Sequence, residues 1–233
     1  MGDPDIYLGA KLKLTTLDNG VKAWGMSPSK YVQQAVINCA KHLSEKLDNK
    51  YEILRRADNP FPLDYRPDLD CSDPLDAECS SFYQHLIGVM RWMVELGRVD
   101  ITTEVSLLSS HLALPREGHL LTALHVMGYL CLKHNLRLIF DLTYPIIDES
   151  RCPRHDWIEF YGDIHEAIPD DMPPPHGKEV EIRMICDSDH AGNKLTRRSC
   201  TGILIFLNMA LIDWTSNNKP QLKPLSLVPN LSQ

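Results

Sequence analysis

The stretch "DSDHAGNKLTRRSCTG", residues 187–202, sets two acids two positions apart beside a small basic cluster. The segment "EVEIRMICDSD" (179–189), which ends inside this stretch, alternates between apolar and polar residues, and this is typical of a β-strand with one buried face. After it, "TGILIFL" (201–207) and "ALIDWTS" (210–216) predict two more apolar strands that meet around Asn208. The stretch therefore links the first two strands of a predicted three-stranded sheet.

The two acids of this stretch, Asp187 and Asp189, have two interpretations. Strand alternation places both side chains on one face, opposite the apolar face. There they could hold a Mg²⁺ ion, which prefers oxygen ligands and keeps several waters. They could also be solvated acids at a polar strand end. The spacing alone favours this second interpretation, because D-x-D is a short pattern that matches by accident.

The N-terminal part of the chain predicts a β-hairpin followed by helices. Residues 5–25 alternate on both sides of the turn signal Asn19-Gly20. A helix follows, with Ser27 as the expected N-cap and Pro28 at its first position. Its buried face is predicted to hold Val32, Val36, Cys39, Leu43 and Leu47. Further helices are predicted over 80–96, over 101–112, and from Pro115 to about His134.

Net charge is −7, but it is unevenly distributed. Between Ile146 and Asp189, twelve Asp/Glu stand against four Lys/Arg, a balance of −8 that leaves +1 for the rest. Residues 143–178 are also rich in proline, so we expect an extended, solvated insertion or linker there. Free-standing nucleic-acid binders usually carry a basic surface. Because the rest of this chain is nearly neutral, charge neither supports nor excludes such a partner.

Composition predicts an intracellular protein of the cytoplasm or nucleus, with no membrane partner. The longest apolar run is far short of the roughly 20 residues of a membrane helix, and no secretory signal is visible. Seven scattered cysteines do not form a disulfide pattern. Three C-x-x-H pairs occur, but a zinc site needs four ligands. In the helices, His119 and His125 are expected to be structural.

Seven segments, in order, resemble the polymerase region of copia-type long-terminal-repeat retrotransposons, from the end of the reverse-transcriptase palm into ribonuclease H. They are "YLGAKL" (7–12), "MSPSKYVQQAV" (26–36), "FYQHLIGVMRWM" (82–93), "GRVDITTEVSLLSSHLALPREGHLLTALHVMGYL" (97–130), "DSDHAG" (187–192), "RRSCTGILIFL" (197–207) and "IDWTSN" (212–217). The resemblance covers nearly everything outside the acidic insertion.

The resemblance implies an α+β fold, in which a helical thumb and connection block precedes an incomplete, three-stranded, ribonuclease H-like antiparallel sheet. The implied parts are the last palm hairpin (1–25), the thumb and connection region (26–142), the acidic proline-rich insertion (143–178), the partial ribonuclease H-like domain (179–217) and an irregular tail (218–233). In this family the thumb and connection region grips the template–primer duplex.

The resemblance also assigns roles to particular residues. Asp187 matches the first of four catalytic carboxylates of ribonuclease H, and Asp189 belongs to the same motif as a second candidate metal ligand. The family's cofactor is Mg²⁺, and its partner is an RNA–DNA hybrid or a template–primer duplex. Lys30, Arg197 and Arg198 are candidate phosphate contacts, although surface Lys and Arg are usually just solvated.

Two departures from the family pattern bear on activity. The chain has no Y-x-D-D turn for polymerisation, and the segment after "IDWTS", where the family has its second carboxylate, reads "NNKPQLKPLSLVPNLSQ". Ribonuclease H clamps the phosphodiester between two metal ions about 3.5–4 Å apart, which one carboxylate of four cannot hold. Codons for residues 220–233 can be read in another frame as "TTETSQSRAEFVA", so we expect an out-of-frame tail.

The sequence therefore predicts a fragment of a copia-type reverse transcriptase and ribonuclease H polyprotein, catalytically inactive by itself, with residual binding of a template–primer duplex at most. A second hypothesis is a host protein that retained the helical block as a protein-interaction module, with the acidic insertion contacting basic partners. A magnesium nuclease that uses only Asp187 and Asp189 is the least favoured, because a second ion would remain unclamped.

Overall fold

A computed structural model describes residues 5–53, 57–146, 150, 158–163, 169–174, 176–189 and 192–218. Their elements, in order, are β1 (Ile6–Tyr7), β2 (Ala10–Thr16), β3 (Lys22–Ser27), α1 (Ser29–Lys46), α2 (Ala77–Glu95), α3 (Thr102–Ser109), α4 (Glu117–Leu132), β4 (Leu138–Phe140), α5 (Ile158–Tyr161), β5 (Ile182–Ser188), β6 (Cys200–Leu207) and β7 (Ala210–Asn218). The strands form two antiparallel sheets, β1-β2-β3-β4 and β5-β6-β7. The predicted α+β class is confirmed.

The predicted N-terminal hairpin is confirmed as β2 and β3. Its turn contains Gly20 at φ +80°, a backbone conformation that glycine adopts without strain, and Val21 N–H donates to Asn19 Oδ1 at 3.0 Å. On its other edge, β3 pairs with β4, so that Met26 lies opposite Leu138. The hairpin and the end of the helical block therefore share one sheet.

Ser27 is not the N-cap of the first helix, and that prediction is wrong. Ser27 instead ends β3 opposite Lys11 of β2, and its hydroxyl donates to the carbonyl of Leu136 at 3.1 Å. Strand pairing thus holds the residue, and α1 begins at Ser29 with Pro28 in the N-cap position. β3 also extends to Ser27, two residues past residue 25, where the palm hairpin was expected to end.

Four helices form the main core. The predicted face of α1 is buried at Val32, Cys39, Leu43 and Leu47 and half-buried at Val36. Tertiary packing against the other helices supplies most of the stability of such an amphipathic helix. The largest fully buried apolar side chains of the block are Tyr83, Leu86, Ile87, Met90, Met93, Leu96, Ile101, Leu108, Leu120, Leu124 and Met127.

Helix boundaries differ from the predicted ones at several ends. The second helix begins at Ala77, three residues early, because the Asp76 carboxylate caps it by accepting from Cys79 N–H at 2.7 Å. The third helix ends at Ser109 rather than 112. The fourth begins at Glu117, so Pro115 lies before the N-cap, Arg116, and not inside the helix.

An ion pair is buried between α2 and α3. The Arg98 side chain is 1% exposed, and Nε and Nη2 donate to the two carboxylate oxygens of Asp100 at 2.8 and 2.6 Å. The guanidinium carbon lies 5.9 Å from the centre of the Tyr129 ring. Arginine is almost never fully buried unless paired, so Asp100 is what allows Arg98 to sit in the core.

The predicted three strands at the C-terminal side are also present, as β5, β6 and β7. Ile212 of β7 forms a bulge, because it has no partner between the pairs Ile205–Asp213 and Phe206–Leu211. The turn between β6 and β7 contains Asn208, which is buried at φ +55°. Asn208 Oδ1 accepts from Glu181 N–H at 2.9 Å, and its amide donates to Leu142 O at 2.8 Å. One side chain thus joins this sheet to the chain that follows β4.

The acidic insertion is only partly described. Within it, α5 exposes Ile158, Phe160 and Tyr161, and Met172 is also exposed, in line with the expected solvated segment. No helix among the described residues is long and apolar enough to cross a membrane. Residues 219–233, and with them the expected change of reading frame, lie outside the described residues.

Candidate functional site

Asp187 and Asp189 face one cleft, as strand alternation predicts. Asp187 is in β5 opposite Gly202 of β6, and Asp189 follows the end of the strand. Both line a cleft of about 510 Å³ between the second sheet and the helical block. The opposite wall comes from residues 61–68 and 103–111.

Asp189 is part of the loop structure that follows β5. Its backbone N–H donates to Cys200 O at 3.1 Å, and its Oδ1 accepts from Cys200 N–H at 2.5 Å. The carboxylate also lies against Gly192, where an added Cβ would stand 1.7 Å from Oδ2. Gly192 therefore has to be a glycine for Asp189 to keep this position, and one oxygen of Asp189 is already in use.

Asp187 differs from Asp189, because its exposed carboxylate has no hydrogen-bond or ion-pair partner among the described residues. It is free to attract a cation. No group of three or more His, Cys, Asp or Glu that could hold a metal ion occurs among the described residues. Asp187, with the second oxygen of Asp189, fits at most one hydrated Mg²⁺. These residues do not fit the two-ion clamp of phosphodiester cleavage.

The structure separates the three candidate phosphate contacts. Arg198 is exposed and lines the cleft. Its neighbour Arg197 is at φ +55°, with its N–H donating to Asn193 O, and is not among the lining residues. Lys30 is exposed in the first turn of α1, also outside the lining. Of the three candidates, only Arg198 therefore lies in the same cleft as Asp187 and Asp189.

Sequence reasoning missed the wall opposite the acids. The Arg66 guanidinium donates to Gly192 O at 2.7 Å, and Lys194 N–H donates to Asp68 Oδ2 at 2.7 Å. Arg66 and Asp68 also form an ion pair at 3.6 Å. These contacts fasten the loop between β5 and β6 to the helical block. The available signal was the charged residues at alternate positions in "YRPDLD", inside a segment that shows no periodicity.

A half-buried histidine, His111, adds a titratable group to the cleft. Its ring stacks on His119 with 4.2 Å between the ring centres. Burial lowers the pKa of His111, and the neighbouring His119 lowers it further. His111 is therefore held in its neutral form, in which one ring nitrogen is free to accept a proton.

His119 and His125 are structural, as predicted. His119 Nδ1 accepts from Arg116 N–H at 3.0 Å, so its proton is on Nε2, which lies 3.0 Å from Pro67 O. His125 Nε2 lies 2.9 Å from Asn59 O. Both rings thus fasten α4 to the loop before α2.

No family model, no curated protein and no solved structure matches the chain.

Proposed function

We propose that the chain is a fragment of a copia-type reverse transcriptase and ribonuclease H that binds a nucleic-acid duplex weakly and does not cut it. The ordered segments of the sequence support the family. The observation that carries the function is the cleft, which brings Asp187 of an antiparallel sheet opposite a helical block and places Arg198 beside it. This is where a duplex spanning both parts would lie.

Binding in this cleft would come mainly from phosphate contacts. Arg198 supplies an exposed guanidinium group, and such a group binds phosphate oxygens with two parallel hydrogen bonds. Arg66 adds positive charge to the cleft, although its guanidinium already donates to Gly192 O. Asp187 and Asp189 oppose them by repelling phosphate. In the parent family Mg²⁺ supplies the cutting chemistry, and on this chain Asp187 would at most hold one hydrated ion near the backbone. We therefore expect weak binding that fades with salt.

A salt titration tests the binding. A fluorescent RNA–DNA hybrid of mixed sequence is titrated with the full chain at about 50 and about 200 mM salt, and a large drop in affinity is expected at the higher salt. Arg198→Ala should weaken binding and reduce the salt slope by about one. Arg197→Ala is the matched control, since it removes the same charge next to the cleft, and its effect should be smaller.

Three results would overturn this proposal. Absence of binding at the lower salt would remove the duplex-binding role altogether. Cleavage of the hybrid in Mg²⁺ that disappears in Asp187→Asn would show an active nuclease, in which one carboxylate and its neighbour suffice. A primer extended by the purified chain would equally contradict an inactive fragment.

The alternative, a host interaction module, is favoured by the exposure of the acidic insertion. Asp170 and Asp171 are exposed and form no ion pair with the other described residues. A lysine-rich peptide should then bind at low salt and lose affinity in Asp170→Asn/Asp171→Asn. Peptide binding without hybrid binding would favour the alternative, and hybrid binding without peptide binding would exclude it.

A further inference from the structure

The strand β5 is an edge strand. Within the described residues it pairs with β6 on one side only. Its apolar side chains remain accessible on both faces, with Ile182 70%, Met184 65% and Ile185 51% exposed. An apolar edge of this kind presents unpaired N–H and C=O groups to any second strand that can align with them.

Two hydrogen bonds show which backbone groups of β5 point outward. Asp189 N–H donates to Cys200 O, and Asn208 N–H donates to Glu181 O at the other end. Hydrogen-bonded and non-hydrogen-bonded pairs alternate along an antiparallel ladder. Odd-numbered residues therefore direct their N–H and C=O groups to β6. The outward groups belong to Ile182, Met184, Cys186 and Ser188.

The sequence of β5, "IRMICDS", is complementary to itself about Ile185. When two copies run antiparallel about that residue, all seven positions are paired. Met184 then faces Cys186 of the other copy, and both use outward backbone groups. Arg183 faces Asp187 at a non-hydrogen-bonded pair, where side chains approach most closely. Symmetry repeats this contact between opposite charges, and each contact stabilises the pairing.

We propose that β5 pairs with β5 of a second copy of this chain, giving a six-stranded sheet across a two-fold axis. Asp187 has no partner among the described residues. Arg183 Nε lies 3.8 Å from Glu181 Oε1, an ion pair longer than a hydrogen bond, and its Nη2 donates to Asn208 O at 2.9 Å. In the pairing, Arg183 exchanges this loose contact with Glu181 for Asp187 of the other copy. Strand alternation places Arg183 and Asp187 on one face.

Other alignments of the two strands are less favourable. A shift by one residue would place residues whose backbone groups point outward opposite residues whose groups point toward β6. No ladder of hydrogen bonds could then form. A shift by two in one direction puts Glu181 opposite Asp187, which are like charges. The opposite shift puts Arg183 opposite Asp189, whose Oδ1 is already bonded to Cys200 N–H, and leaves Ile182 unpaired. The alignment centred on Ile185 is therefore selected.

Sedimentation velocity of the full chain tests the pairing. One strand pair is smaller than a standard interface, so a reversible dimer should form over roughly 1 to 300 µM. Arg183→Asp and Asp187→Arg should each weaken dimerisation about tenfold or more, since each creates two like-charge contacts. The double variant Arg183→Asp/Asp187→Arg restores opposite charges and should restore the dimer. Lys22→Asp is the matched control: it changes the net charge by as much as Arg183→Asp does, but on β3 of the other sheet, and it should have no effect.

Cross-linking tests the alignment independently. In a Cys186→Ser background, Ile185→Cys should form an intermolecular disulfide with oxidised glutathione, because residue 185 faces itself at a non-hydrogen-bonded pair. Arg183→Cys is the matched control and should not cross-link. Met184→Pro removes an outward N–H that no bond to β6 uses, and an edge strand tolerates proline at such a position. It should therefore abolish the dimer while the circular dichroism spectrum stays unchanged.

Three results would overturn the proposal. These are a chain that is monomeric at every concentration, a dimer that both single charge reversals leave intact, and equal cross-linking at positions 183 and 185. Failure of the double variant to restore a dimer that the single variants have lost would also contradict the Arg183–Asp187 contact.

Discussion

Replacing Asp100 with alanine should destabilise the fold more than replacing its partner, Arg98, with methionine. Arg98 is fully buried and donates two hydrogen bonds to Asp100. Without Asp100 the guanidinium would stay charged, because arginine does not deprotonate in proteins. Removing one partner of a buried pair costs about 3–5 kcal/mol. Since the Asp100 side chain is 25% exposed, water can enter after its removal, and we expect the lower value.

Arg98→Met should cost less, because it removes the buried charge together with an Nη1 that has no hydrogen-bond partner among the described residues. Asp100 can then be hydrated, and the loss should be about 1–2 kcal/mol. Urea unfolding followed by far-ultraviolet circular dichroism measures both variants. A loss of about 3 kcal/mol also lowers Tm by roughly 6–12 °C in a chain of this size. Equal losses, or a larger loss in Arg98→Met, would refute the idea that an unpaired buried charge dominates.

Three other perturbations have definite expected results. Gly118→Ala should cost about 2 kcal/mol or more, because the new Cβ would stand 1.8 Å from Asp70 Oδ2. Stability should fall as the pH drops from about 6.5 through the lowered pKa of His111, because the unfolded chain takes up that proton first; urea unfolding at about pH 7 and about pH 5 measures the fall. Arg66→Ala should speed hydrogen exchange in the loop between β5 and β6.

Each of these predictions has its own control. Gly88→Ala meets no atom within 4 Å and should stabilise α2 by about 0.5–1 kcal/mol, so equal losses at both glycines would contradict the contact with Asp70. In His111→Gln the fall in the free energy of unfolding between about pH 7 and about pH 5 should be smaller. An unchanged fall would mean that groups other than His111 cause the pH dependence. Arg66→Ala should leave the urea midpoint nearly unchanged, whereas a large shift would mean that the loop contact supports the whole fold.

The helices were predictable because their apolar spacing is local information. Val32, Cys39 and Leu43 repeat at helical steps, and all three are buried. Ser27 was misassigned because its real partner is the carbonyl of Leu136, 109 residues away, and no local pattern reports such a contact. The burial of Arg98 was not predicted either, since a charged residue in a sequence gives no sign of a partner in the core.

The candidate site was predictable on one side only. Alternation along β5 places Asp187 and Asp189 on a shared face, and the structure brings Arg198 to the same cleft. The opposite wall, with Arg66 and His111, comes from segments whose positions depend on tertiary packing. Its proline-rich part has no period, so the sequence could not show which of its residues would meet the sheet.

The pairing of β3 with β4 has a consequence for the order of folding. Helices form within microseconds from neighbouring residues, whereas contacts between distant parts of a chain wait for a large loop to close. The first sheet joins both ends of the helical block, so its completion requires that closure. We therefore expect β4 to pair with β3 late in folding, after the helices have packed. Unfolding of the first sheet and of the helical block should become a single cooperative transition only once this pairing has formed.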